Sequence, residues 1–232
     1  MSAMMTPLMK KSLAESIGTF TLVFAGCGSV MVDERLHASI SHAGVSIIFG
    51  LAVAVMIYAV GHISGAHFNP AVTLAFATAR HFPFGEVLAY WAAQFMGALA
   101  AMAVLNAVLP PGKSYGATTP AVPLFEAVVW ETVLTFFLMF VIVSVATDTR
   151  AVGTMAGAAI GGTVMLAAWV GGPVTGASMN PARSFAPALF EGRMDVVWIY
   201  IVGPCLGAVL AAWMYEAIRL SPAGGKTSRE QA

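Results

Sequence analysis

Along this chain, long uncharged apolar runs alternate with short polar connections. The runs 16–32, 43–60, 87–110, 132–147, 151–170 and 196–215 approach or reach the ~20 apolar residues that a helix needs to cross a bilayer, and predict six spanning helices. Two further apolar segments, 71–79 and 182–190, are about half as long as a span. Each follows the same tripeptide, Asn69-Pro70-Ala71 and Asn180-Pro181-Ala182, and each tripeptide follows a Gly-Ala pair, Gly65-Ala66 and Gly176-Ala177. Asparagine is a favoured helix N-cap and proline is tolerated at the first helical position, so both tripeptides read as starts of short helices. The residues between each Gly-Ala pair and its cap cannot be helical. At membrane depth such backbone is tolerated only where it is buried in protein or lines a wet cavity. The pattern therefore predicts an all-α membrane protein with six spanning helices and two re-entrant half-helices.

The two halves repeat. Glu15-Ser16-Ile17-Gly18-Thr19-Phe20 matches Glu131-Thr132-Val133-Leu134-Thr135-Phe136 at an offset of 116. Ser64 to Ala71 matches Thr175 to Ala182 at 111, and Tyr90 with Gly97-Ala98 matches Tyr200 with Gly207-Ala208 at 110. Each copy, about 11–110 and 125–219, holds three spans and one half-helix. An odd number of spans makes the second copy enter the membrane from the opposite face, giving an inverted repeat. The two half-helices then point at one another near the midplane. The whole chain, 1–232, reads as one domain, with a polar tail over 221–232 expected to be disordered.

Composition agrees with the pattern, since 59% hydrophobic and 9% charged residues leave too little polar surface to coat a soluble globule. The charges choose an orientation. With the N-terminus inside, Lys10, Lys11, Arg80, Arg150, Arg219, Lys226 and Arg229 lie on the cytoplasmic side, against Arg35, Lys113 and Arg193 outside. The basic excess places both termini in the cytoplasm. The first span, with no cleavage site before it, is read as retained. Arg183 belongs to neither group, because it follows the second tripeptide inside uncharged sequence.

The candidate chemistry is that of a lined path. Two helix N-termini facing one point present partial positive charge and unsatisfied N–H groups. Asn69 and Asn180 can cap with the amide oxygen and turn the amide NH2 to the path. The carbonyls of Gly65, Ala66, His67 and Phe68, and of Gly176, Ala177, Ser178 and Met179, would supply acceptors at the two mouths. A positive centre opposes cations and protons, so neutral hydrogen-bonding solutes are the expected cargo. Glu15 and Glu131 form a symmetric pair of intramembrane carboxylates. They are read as acceptors for the backbone N–H groups of the re-entrant loops, with proton coupling in a secondary transporter as the competing reading. His62 and His67 flank the first loop and are read as packing or hydrogen-bonding groups. Cys27 and Cys205 lie in the first and sixth runs and are read as small packing residues. No phosphate loop, His-x-x-Glu-His sequence or Ser/His/Asp set is visible, so no enzyme activity, cofactor, metal or nucleic-acid partner is expected.

The twin tripeptides, Arg183 after the second, Gly61-His62-Ile63-Ser64-Gly65 before the first and Ala14-Glu15 near the start resemble the major intrinsic protein family, the aquaporins and glycerol facilitators, over nearly the whole chain. The stretches from Ala146 to Gly153 and from Gly172 to Ser184 look most like the nodulin-like intrinsic proteins of plants and their bacterial relatives. The resemblance implies a filter on the outer side made of Phe49, Ala168, Ala177 and Arg183, with Trp169 replacing Ala168 if the alignment slips by one residue. Strict water channels of the family usually carry histidine where Ala168 stands. Typical glycerol facilitators place aromatic residues on the second span and second loop, and aspartate where Ser184 stands. This chain departs from both patterns, and two alanines imply a wider aperture. The resulting expectation is a passive pore for water, glycerol and hydroxylated metalloids such as arsenite or boric acid, with a strict water channel as the alternative. The resemblance also implies a homotetramer in the lipid bilayer, and the reading places it in a bacterial inner membrane.

Overall fold

A computed structural model describes residues 5–220 apart from 38, 110, 111, 113, 149 and 152. The expected tail 221–232 and three residues of the charge count, Lys113, Lys226 and Arg229, lie outside the described residues. The helices are α1 (Pro7–Arg35), α2 (Ser41–Ser64), α3 (Pro70–Thr78), α4 (Val87–Val108), α5 (Leu124–Thr147), α6 (Ala156–Thr175), α7 (Pro181–Glu191) and α8 (Ile199–Ile218). Short 3₁₀ turns lead into α4, α6 and α8. Among the described residues, six helices are long and apolar enough to cross a membrane, and α3 and α7 are the half-helices.

The ends of the spans differ from the apolar runs for local reasons. α1 starts nine residues before its uncharged run, because Thr6 caps it by accepting from Met9 N (3.2 Å) and Pro7 occupies the first turn. Charge marks where a helix leaves lipid, not where it stops, so Lys10 and Lys11 are helical. α6 begins at Ala156, not 151, and ends at Thr175, not 170. Asp148 accepts the Arg150 backbone N–H (3.0 Å) and pairs with its guanidinium, which folds the start of the expected run into a turn. These hydrogen bonds from Arg150 hold the Asp148 carboxyl well below the usual carboxylate range. At the other end the helix continues through Pro173 until Gly176, at φ +86°, breaks it.

The halves pack alike. α1 lies against α4 and α2, as α5 lies against α8 and α6, while α2 and α6 join the halves. Each half-helix leans on the last span of the other half, α3 on α8 and α7 on α4. The crossings are close because glycine sits at them. A Cβ on Gly97 would collide with the Ser16 carbonyl, one on Gly207 with the Thr132 carbonyl, and Gly50 and Gly161 would each meet the other's carbonyl. Small residues at such contacts let backbones approach where no hydrophobic effect drives helices together. Large apolar side chains such as Leu88, Met96, Leu166 and Trp213 are exposed on the outside, while Glu15, Gln94, Glu131 and Arg183 are buried. That distribution suits a lipid solvent.

Replacing Gly97 or Gly207 by valine should destabilise the protein by ~1–3 kcal/mol through overpacking, read as a lower thermal midpoint in detergent. Gly162→Val, where a Cβ meets nothing within 4 Å, should leave the midpoint unchanged. An equal loss in all three would show that the crossings do not set stability.

Candidate functional site

Each re-entrant loop is tied to the first helix of its own half by a carboxylate. Glu15 accepts from Ser64 Oγ (2.7 Å), His67 N (2.9 Å), Phe68 N (2.7 Å) and Gln94 Nε2 (2.8 Å). Glu131 accepts from Thr175 Oγ1 (2.7 Å), Ser178 N (2.9 Å) and Met179 N (2.8 Å). Tyr90 and Tyr200 complete the pairing, donating their hydroxyls to the Ser64 and Thr175 carbonyls at 2.7 Å each. The loops need this support. Gly65, Ala66 and Phe68, and at matching positions Gly176, Ala177 and Met179, all have positive φ, which costs roughly 1–2 kcal/mol at each non-glycine residue. Both carboxylates are completely buried, and neither lines either of the two cavities described below.

The half-helices meet through their caps. Asn69 Oδ1 accepts from Ala71 N (2.9 Å), and Asn180 Oδ1 from Ala182 N (3.0 Å) and Arg183 N (3.3 Å). The amide nitrogens cross the midplane. Asn69 Nδ2 donates to the Met179 carbonyl (2.6 Å) and Asn180 Nδ2 to the Phe68 carbonyl (2.8 Å). From sequence, both NH2 groups are expected to face the path and all eight loop carbonyls to serve as acceptors. One hydrogen of each NH2 instead joins the two loops, and the carbonyls of Phe68 and Met179 already hold a donor. The carbonyls of Gly65, Ala66, His67, Gly176, Ala177 and Ser178 meet no protein donor among the described residues.

Two cavities run through the bundle. The larger, about 500 Å³, extends from Tyr58, His62 and Thr154 at the N-terminal face, past Leu22, Leu138, Asn69 and Asn180, to Arg183. The smaller, about 170 Å³, opens on the opposite face beside His42, Ser46 and Thr118. Phe49, Ala168, Ala177 and Arg183 line both, so these four residues surround the neck between them. Gly65, Ala66, His67, Phe68, Ser178 and Met179 border the larger cavity and Gly176 the smaller one. Ala168 faces the neck, whereas Trp169 is exposed on the outside of the bundle.

Arg183 is buried at the neck without an ion-pair partner among the described residues. Its Nη1 donates to the Gly116 carbonyl (2.9 Å), and its guanidinium carbon lies 4.7 Å from the centre of the Phe49 ring. The same ring lies close against α1 at Gly26, where a Cβ would collide with it. Guanidinium and ring thus form a cation–π contact, and the missing side chain of Gly26 leaves room for the ring.

Several residues of the site were not singled out by sequence. Tyr90 and Tyr200 carried a signal in their shared offset, and Leu22 and Leu138 match at 116. Gly116 and Thr118 had none, because they lie in the connection between the repeats. The His67 ring is packed against Phe76, Phe82 and Tyr90 and bonded to Thr73 Oγ1 (3.1 Å), in line with the packing and hydrogen-bonding role expected of it, and both His62 and His67 border the larger cavity.

Six spans, two half-helices joined tip to tip in an inverted repeat, and two cavities sharing one neck define a membrane channel, not an enzyme. The chain belongs to the major intrinsic protein family, whose model matches residues 2–215. It is 50% identical over 220 residues to Aquaporin NIP1-1 of Oryza sativa subsp. japonica, covering 94% of this chain and 78% of that one. It is 48% identical over 219 residues to Nodulin-26 of Glycine max, covering 94% and 81%. The solved structure of the aquaglyceroporin from Plasmodium falciparum superposes with a TM-score of 0.79 over 91% of this chain and 96% of that one, at 24% identity, which shows the shared fold.

Glu131→Gln places an NH2 group among donors, leaving at least one buried loop N–H without an acceptor. The expected loss is ~1–3 kcal/mol, against ~1 kcal/mol for Tyr200→Phe, which removes one hydroxyl bond. Thermal unfolding in detergent measures both, and a silent Glu131→Gln would show that the loop stands without its carboxylate.

Proposed function

We propose that this channel passes water and small uncharged hydroxylated solutes, glycerol foremost, down their gradients and excludes ions and protons. The observation that carries the reading is the neck, where Phe49, Ala168, Ala177 and Arg183 border both cavities. In this reading the four residues are the filter. Arg183 repels cations and offers donors, Phe49 supplies an apolar wall, and the methyl groups of Ala168 and Ala177 leave room for a carbon backbone. A strict water channel would need bulk or an imidazole where these alanines stand. Asn69 and Asn180 each keep one amide hydrogen for the solute. The unpartnered carbonyls of Gly65, Ala66 and His67 and of Gly176, Ala177 and Ser178 accept from it on either side. A molecule carrying hydroxyl groups can exchange its water for this row, whereas a cation meets Arg183 and two half-helix N-termini.

Glu15 and Glu131 serve as loop supports in this account. Their oxygens are engaged by loop donors and lie away from the cavities, which favours a passive pore over a carrier that loads protons there. Arsenite and boric acid belong to the proposal because they are small neutral hydroxides and because the chain resembles nodulin-like proteins. We read the chain as one channel domain, assembled as a homotetramer through its exposed apolar faces. The excess of basic residues on the N-terminal face supports residence in a plasma membrane with both termini cytoplasmic. The plant relatives give no support to the bacterial membrane expected from sequence.

Proteoliposomes carrying the protein should shrink faster in an osmotic step than empty vesicles and should admit glycerol. Ala168→His with Ala177→Thr should narrow the neck and cut glycerol permeability about tenfold, equivalent to ~1.4 kcal/mol at the barrier, with a smaller effect on water. Equal losses for both solutes would contradict the filter assignment.

A further inference from the structure

The half-helix that carries Arg183 at its start carries Glu191 at its end, and one strap of chain joins the two. Residues 114–118, in the connection between the repeats, lie along α7. At one end a single oxygen of Glu191, Oε1, accepts from Ser114 Oγ (3.0 Å), Ala117 N (3.1 Å) and Tyr115 N. Glu34 Oε2 accepts from Ser114 N (3.0 Å), and Ser114 Oγ accepts from Gly116 N (2.9 Å). At the other end the hydroxyls of Thr118 and Ser184 are 2.7 Å apart. Gly116 sits between these anchors at φ +77°, pressed so close to Cys27 that a Cβ would come within 3.1 Å of its Cα. Its carbonyl is the one that holds Arg183.

We infer that Glu191 is a positioning residue for the selectivity of the pore, acting through the Gly116 carbonyl on the guanidinium of Arg183. An arginine side chain has many rotamers, and its place at the neck depends on what its Nη1 meets. The Phe49 ring offers a face but no direction. The direction comes from one carbonyl, and the turn that carries it is gathered by three donors on Glu191 between the anchors at Glu34 and Thr118. The first half lacks the two residues the strap joins, since the repeat offset puts Val72 opposite Arg183 and Arg80 opposite Glu191. The strap therefore serves the one charged residue of the neck. Without it the turn at Ser114 relaxes, the carbonyl withdraws and the guanidinium leaves the ring, opening the neck to larger solutes.

The inference rests on the neck being the filter, so the test separates the two. The readout is the ratio of glycerol to water permeability in proteoliposomes. Glu191→Ala should raise it about fivefold, the factor expected when one ordinary hydrogen bond is lost. Ser114→Ala should raise it in the same direction, and carries the test if Glu191→Ala fails to reach the membrane. Glu191→Gln keeps an amide oxygen for the three donors and should restore the ratio. In an Arg183→Val background, Glu191→Ala should add nothing. If Arg183→Val raises the ratio while Glu191→Ala and Ser114→Ala do not, the positioning role is wrong and the filter stands. An effect of Glu191→Ala that persists without Arg183 overturns the positioning role as well. If Arg183→Val leaves the ratio unchanged, the filter reading fails and this inference with it.

Discussion

Backbone that is not helical has to find hydrogen-bond partners inside the bilayer, and two buried carboxylates supply them. In lipid each unsatisfied N–H costs several kcal/mol, so a loop that stops short at the midplane must be braced by protein. Glu15 and Glu131 each take two successive loop N–H groups and a hydroxyl. With these fixed, the left-handed residues of the loops are held, the asparagine caps are aimed, and the two half-helices meet through Asn69 and Asn180. Burying a carboxylate is costly by itself. Here the loop donors stand in for water, and the tyrosine hydroxyls on the adjacent carbonyls close the arrangement.

The symmetry of the brace contrasts with the asymmetry of the path. Applying the repeat offset of 111 to Phe49, Ala168, Ala177 and Arg183 gives Ile160, Ile57, Ala66 and Val72, all of which border the larger cavity. The half that opens on the N-terminal face thus carries an apolar ring where the other half carries aromatic and charge. Gln94, which donates to Glu15 and to Thr73 Oγ1 (3.0 Å), is matched by Pro204. The carboxylates and tyrosines of the brace recur in both copies, whereas Gln94 and three of the four neck positions do not.

How much was legible in the sequence follows from the range of each interaction. The spans could be read because apolar length is a local property, and the half-helices because Asn-Pro-Ala is a local signal for a start. The ends of α1 and α6 could not, since they depend on the Thr6 cap and on Asp148 folding back on Arg150. The repeat pointed to Glu15 and Glu131, and an isolated charge pointed to Arg183. Phe49, Ala168 and Ala177 came from family resemblance, because one aromatic and two alanines in apolar helices carry no signal of their own. The crossed amide bonds, Gly116 and the strap depend on contacts across 66 to 112 residues of chain, which no pattern in a single sequence encodes.

The pore proposed here passes neutral solutes passively and refuses the proton. This is tested most directly by stopped-flow on proteoliposomes that enclose a pH-sensitive dye, following osmotic volume and internal pH together across a range of temperatures. Water and glycerol flux should be fast with a low activation energy, and the internal pH should drift no faster than in empty vesicles under an imposed pH gradient. Proton entry that accompanies the flux, or solute flux that depends on the gradient, would contradict that reading.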